Sequence, residues 1–167
     1  WFGWQFGLDW GSLVRENDQF QIEYTWTDHR VYRHRFEVND VYSSGYPLGF
    51  WAGPHAEELY VEYVTTLFGM DAVFSHSAVK RGELTDAMLE NQYDQSADNY
   101  QRYSGFVEER YVTEVQFIKS VWKPDLRMLF GVGLIDWKNA GFNPSNPSAT
   151  KDIKKTSLTL GFSYNFR

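Results

Sequence analysis

Three groups of side chains in this sequence could do chemistry. The first is the dense run Asp28, His29, Arg30, Val31, Tyr32, Arg33, His34, Arg35. Guanidinium and imidazolium groups pair with acidic sugars or phosphates, and aromatic faces stack on pyranose rings. Tyr32, Arg33, His34 and Arg35, with Trp51 and His55 further on, are therefore the candidate polysaccharide contacts. The competing reading is a solvated loop facing anionic lipopolysaccharide. His29 and His34 have no carboxylate or third histidine at ligand spacing, and the chain has no cysteine, so no metal site is expected. The second group is four carboxylates, Asp9, Glu23, Glu62 and Glu114, which could filter cations or bind sugar hydroxyls, or simply keep a surface wet. The third is Ser75, His76 and Ser77, the parts of a hydrolase. Neighbours in a strand point to opposite faces, so neither serine can meet His76 within its own strand. No catalytic residue and no cofactor are assigned, and the chain is not expected to be an enzyme.

All of these residues sit in or between segments of period two, the alternation of a strand wet on one face. Phe2, Trp4, Phe6, Leu8 and Trp10 alternate with Gly3, Gln5, Gly7, Asp9 and Gly11, and Phe20, Ile22, Tyr24 and Trp26 with Gln21, Glu23 and Thr25. Further segments run over 59–68, 72–81, 110–122 and 126–137, the second of them weakly patterned. The tail over 155–167 is the clearest, with Leu158, Leu160, Phe162, Tyr164 and Phe166 on one face. The four carboxylates all fall on the polar, inward side of this pattern. Trp122 and Trp137 fall there too, while other aromatics mark the segment ends, as interfacial rings do.

The links between segments alternate in length. Arg15 to Asp18, Gly69 to Asp71 and Lys123 to Asp125 are short and carry turn chemistry. The stretches 28–58, 82–109 and 138–154 are long. Outer-membrane barrels have short periplasmic turns and long outer loops, whereas a soluble sandwich has no reason to place every long loop at one end. Aromatics are 19% of the chain, mean hydropathy is −0.51, and no run approaches the roughly 20 apolar residues of a membrane helix. A net charge of −6 runs against a nucleic-acid partner.

The expected fold is thus all-β: residues 1–167 as one region of a transmembrane antiparallel β-barrel of about seven strands, with its long loops outside. Counting directions back from the tail, the first and seventh strands run the same way. Together with the lack of signal-peptide character in Trp1 to Trp10, this points to the C-terminal part of a larger barrel in the bacterial outer membrane. Its partners would be membrane lipid and lipopolysaccharide.

One stretch is more specific. Glu23, Tyr24 and Thr25 lead into Tyr32, Arg33, His34, then Tyr42, then Gly45, Tyr46, Pro47, Leu48, Gly49, then Gly53, Pro54, and finally Glu57, Glu58, Leu59. This resembles the C-terminal region of the capsule-assembly Wzi family and its relatives in gliding bacteria. Where relatives often carry a histidine and proline after Pro-Leu-Gly, this chain has Phe50, Trp51 and Ala52. The resemblance implies a non-enzymatic outer-membrane barrel that holds surface polysaccharide through its extracellular loops. Two other roles are open from the residues themselves: a subunit docked to other proteins of a cell-envelope assembly, and a diffusion channel with an acidic lumen.

Overall fold

The computed structural model describes residues 2–29, 31, 42–43, 46–47, 50–83, 102–103, 105–122, 126–141 and 150–164. The elements are β1 (Gly3–Gly11), β2 (Gln19–Thr27), β3 (Tyr42–Ser43), β4 (Tyr46–Pro47), β5 (Ala56–Leu67), β6 (Met70–Gly82), β7 (Val107–Trp122), β8 (Leu126–Ala140) and β9 (Lys151–Tyr164). Seven of them form one antiparallel sheet in the order β1-β2-β5-β6-β7-β8-β9, and β3 and β4 pair as a small hairpin of their own. The sheet is open, with β1 and β9 as its edges. Among the described residues there is no helix and no second layer packed on the sheet.

The alternation read from the sequence becomes two faces. Asp9, Gln21, Glu62, Ser75, Glu114, Gly133 and Ser157 form one cross-strand row on the polar face, with Glu23 one row nearer the long loops. The opposite face carries the apolar side chains, and almost nothing covers them. The buried apolar residues are all small or β-branched (Ala52, Ala56, Ala72, Val79 and Ala140), whereas Phe6 and Leu160 are 74% and 75% exposed. A water-soluble domain stabilises itself by burying such residues at about 25 cal/mol per Å²; this sheet leaves them outside.

The apolar band also drifts across the sheet. On β1 it spans Phe2 to Trp10, centred on Phe6. The row through Phe6 runs Tyr24, Leu59, Ala78, Tyr111, Asp136 and ends at Lys154. On β9 the band spans Leu158 to Tyr164, centred seven residues beyond Lys154, after six strand-to-strand steps. At about 3.3 Å per residue and 4.8 Å per strand, the band lies at roughly 40° to the cross-strand rows. On the loop side it is bounded by the row Glu57, Lys80, Glu109, Lys138, in which the Lys138 ammonium meets Glu109 at 2.9 Å.

The short links hold the other end. In the first, Asp18 is buried; its carboxylate accepts from the Thr65 hydroxyl (2.5 Å), the Tyr63 hydroxyl and the Arg15 N–H (2.9 Å). Burial by itself raises its pKa, but those hydrogen bonds and the Arg15 charge outweigh it and hold the carboxyl below its usual range. The second link turns at Phe68 and Gly69, both with positive φ (53° and 70°), as a two-residue type I′ hairpin requires, so the turn is one residue earlier than Gly69 to Asp71. The third, 123–125, lies outside the described residues.

Several strand bounds differ from the sequence reading in one direction. β5, β7, β8 and β9 extend toward the long loops, taking in Ala56–Glu58, Val107–Glu109, Lys138–Ala140 and Lys151–Lys154. Side-chain alternation stops reporting a strand once both faces are wet, but the backbone ladder continues, helped by ion pairs such as Lys154 to Asp136 at 3.2 Å. A register shift between Ser120 and Trp122 sets Trp122 opposite Leu126; the side chain of Trp122 lies outside the described residues.

Candidate functional site

The turn from Phe50 to His55 lies on the loop end of the sheet. Gly53 donates to the Phe50 carbonyl at 2.9 Å and takes a φ of 78°. The buried Thr27 hydroxyl pins this turn, donating to the Gly53 carbonyl (2.8 Å) and accepting from the Ala56 N–H (3.1 Å). Phe50 packs on the small core of Ala52, Ala56 and Val79. The two described polysaccharide candidates then part company. Trp51 is 50% exposed; His55 is 1% exposed.

Trp51 forms the wall of a cleft on the polar face. Across from it stands Trp137, and the Arg110 guanidinium lies between them, 5.3 Å from the Trp51 ring centre and 5.2 Å from that of Trp137. Both indole N–H groups donate to carboxylates: Trp51 to Glu58 at 2.7 Å and Trp137 to Glu108 at 2.6 Å. The second oxygen of Glu58 accepts from the Ser77 hydroxyl at 2.6 Å, and that of Glu108 pairs with Arg81. The cleft encloses about 280 Å³ between Trp51, Val79, Arg81, Glu108, Arg110 and Trp137. A second, more open hollow of about 610 Å³ adjoins it, sharing Trp51 and reaching Gln5, Glu23, Thr25 and Tyr60. Fixed indoles flanked by hydrogen-bonding carboxylates and a guanidinium suit a polyhydroxylated ring, which offers C–H surface to an aromatic and hydroxyls to charged groups.

His55 goes to the opposite face and closes a clamp there. Its ring lies over Gly82, where a side chain on that residue would collide with the imidazole. Nδ1 is 2.8 Å from the Glu83 carbonyl and so carries the proton; Nε2 accepts from the Tyr103 N–H at 3.4 Å. The Tyr103 ring stacks on the imidazole, with centroids 5.1 Å apart and planes 6° apart. Arg102 donates to the Thr27 and Ala56 carbonyls (2.9 and 3.0 Å) and lies over the Trp26 and Tyr103 rings. His29, paired with Asp28 at 3.2 Å, approaches His55 edge-on. Burial, with the nearby positive charge of Arg102, depresses the His55 pKa to about 4, against the opposing pull of the Glu83 carbonyl. His55 and Tyr103 both adopt left-handed φ (55° and 62°), a strain of about 1–2 kcal/mol each for bulky residues, held by the contacts they make together.

Tyr32, Arg33, His34 and Arg35 lie outside the described residues. Glu23 accepts from Gln5 and Gln21 (3.0 and 2.9 Å) and Glu62 from Tyr60 (2.6 Å), so these carboxylates are knitted into the polar face. Glu114 accepts from Gln116 at 3.4 Å, and Asp9 lines a further hollow of about 310 Å³ with Gln19, Gln21 and Glu62. His76 bonds the Thr113 hydroxyl at 2.8 Å on the apolar face, while Ser77 serves Glu58 on the other. The sequence reading singled out neither Arg110 nor Glu58 nor Glu108 for this cleft. Arg110 and Glu108 lie on the polar positions of one strand and Trp137 sits inward on the next, but only the register brings them to Trp51.

Fold and cleft together define the class: a single-layer antiparallel sheet with one apolar face, and a built cleft at the loop end of its polar face. No known protein family, curated protein or solved structure matches the chain.

Proposed function

We propose that this chain is a wall of a bacterial outer-membrane β-barrel whose loop-end cleft binds surface polysaccharide without catalysing a reaction. The observation that carries the membrane part is the uncovered apolar band. Its slope of roughly 40° matches the strand tilt of about 35–45° in membrane barrels, where the band must stay level while strands lean. The polar face then lines the lumen. β1 and β9 run in the same direction, so an antiparallel closure takes an odd number of further strands between them. The polysaccharide part rests on Trp51, Trp137 and the hydrogen-bonded carboxylates around them, at the end of the sheet where the loops emerge, and is in keeping with the resemblance to the Wzi family. The test is titration of the detergent-solubilised protein with capsular oligosaccharides, read by tryptophan fluorescence. Saturable binding that is lost in Trp51→Ala supports the reading; binding unchanged by that substitution removes the cleft from it.

The row of Asp9, Glu62 and Glu114 across the polar face favours one second reading, a cation-selective lumen. Conductance in planar bilayers, with cation preference reduced by Glu62→Gln, would support it.

A further inference from the structure

We infer that the Trp51–Trp137 cleft selects an acidic sugar, with Arg110 receiving its carboxylate; this rests on the polysaccharide reading above. The inference comes from an account of charges. Both oxygens of Glu108, the carboxylate that lines the cleft, are engaged, with Trp137 and Arg81, and those of Glu58 in the adjoining hollow are engaged with Ser77 and Trp51. Arg81 therefore has its anion. Arg110 has none among the described residues. Its guanidinium lies over two indole rings, and its Nε is buried without a hydrogen-bond partner.

Buried donors are nearly always satisfied, and of the two guanidinium groups whose Nε lacks a partner, Arg102 donates to two carbonyls through its terminal nitrogens while Arg110, on the cleft wall, has no acceptor among the described residues. The two rings hold the guanidinium in place, 5.3 and 5.2 Å from their centres, and a guanidinium so held can receive both oxygens of a carboxylate. The cavity of about 280 Å³ is at the lower edge of the usual range of about 300–1,000 Å³ for ligand sites. That is room for one sugar ring. The adjoining hollow past Trp51 gives the next residue of a chain somewhere to lie, against Gln5, Glu23 and Tyr60. Glu23 there makes a second acidic residue unwelcome. The ligand class is thus a glycan in which a uronic-type residue alternates with neutral sugars, the acid seated on Arg110.

The test uses the full chain in detergent micelles and two probes, a trisaccharide with one central galacturonic acid between neutral hexoses and the same compound as its uncharged methyl ester. The acid should bind about tenfold or more tightly than the ester, the scale of one charge-assisted hydrogen-bonded pair. Arg110→Gln should bring the acid-to-ester affinity ratio to about one, whatever it does to the affinity for the ester itself, and Arg110→Lys should recover only part of that ratio. Equal binding of acid and ester by the unaltered protein would overturn the inference and leave the polysaccharide reading standing. Binding of neither would overturn both. A preference that survives Arg110→Gln would assign the anion site elsewhere and overturn the role of Arg110.

Discussion

Trp51 and His55 stand four residues apart on one turn, yet they build opposite kinds of site. On the polar face, Trp51 opens onto a cleft whose walls are fixed and whose guanidinium has no anion among the described residues. On the other face, His55 is buried in a clamp whose ring nitrogens both have backbone partners, with Arg102 spanning two strand ends. Each site has a guanidinium whose Nε lacks a hydrogen-bond partner, but Arg102 of the clamp donates through its terminal nitrogens to two carbonyls, whereas Arg110 lies over two indole rings. Of two histidine or aromatic residues that look equally suited to a sugar in sequence, Trp51 is half exposed and His55 is buried in the packing of the clamp. Residue type proposes a site, and exposure decides between sites.

The comparison can be broken from either side. The largest effect should come from Gly82→Val, which drives a side chain into the His55 ring. We expect about 2–3 kcal/mol of destabilisation, as for other overpacked sites, measured by denaturant unfolding, with faster proteolysis of the loop over 83–106. Trp51→Ala should do the reverse. Affinity for capsular oligosaccharide should fall about tenfold to a hundredfold, the range of a central aromatic anchor, while stability falls by about 1 kcal/mol, the scale of its half-exposed contacts with Glu58 and Arg110. If Trp51→Ala destabilised as strongly as Gly82→Val, the cleft would be part of the clamp.

A smaller effect sharpens the contrast. His55 is held neutral down to about 4 in the folded chain, against an ordinary value of 6.5. Above 6.5 both folded and unfolded forms are neutral there, and the clamp has its full stability. As pH falls from 6.5 toward 4, the unfolded form takes up a proton that the folded form refuses, so stability drops across that window. Amide protection factors at Gly82 and Tyr103, corrected for the intrinsic pH dependence of exchange, should fall over it, and His55→Gln should flatten the response. The same pH dependence in His55→Gln would place its origin elsewhere.

Much of the sheet was legible because most of its seven strands show one wet and one apolar face, and period two survives wherever that holds; β6, with Ser75, His76 and Ser77 on both faces, shows it least. Legibility ended where the two environments stop differing. Ala56–Glu58 and Lys151–Lys154 read as loop because both faces are polar there, yet backbone pairing carries the strands on. The hairpin of Tyr42–Ser43 with Tyr46–Pro47 is too short to show any period. The clamp was hidden for another reason. Arg102 and Tyr103 are 46 and 48 residues beyond Ala56 and His55 in the chain, and nothing local in the sequence over 82–109 announces which carbonyls and which ring they meet. The cleft was half visible. Trp51 stood out by type, whereas Arg110 became a candidate only when the register placed it between two indoles and spent the neighbouring carboxylates on other partners.

The central claim is that the uncovered face meets lipid. The chain has no cysteine, so single cysteines can be introduced one at a time at Leu158, Thr159, Leu160, Phe162 and Ser163 on β9, and at Trp4, Phe6 and Leu8 on β1. Spin-labelled in lipid vesicles, each reports its exposure to oxygen dissolved in the bilayer and to a water-soluble nickel reagent. The account predicts lipid exposure at Leu158, Leu160 and Phe162, water exposure at Thr159 and Ser163, and greatest depth near Phe6 on β1 but near Leu160 to Phe162 on β9. Equal water access on both faces, or greatest depth along the row joining Phe6 to Lys154, would contradict it.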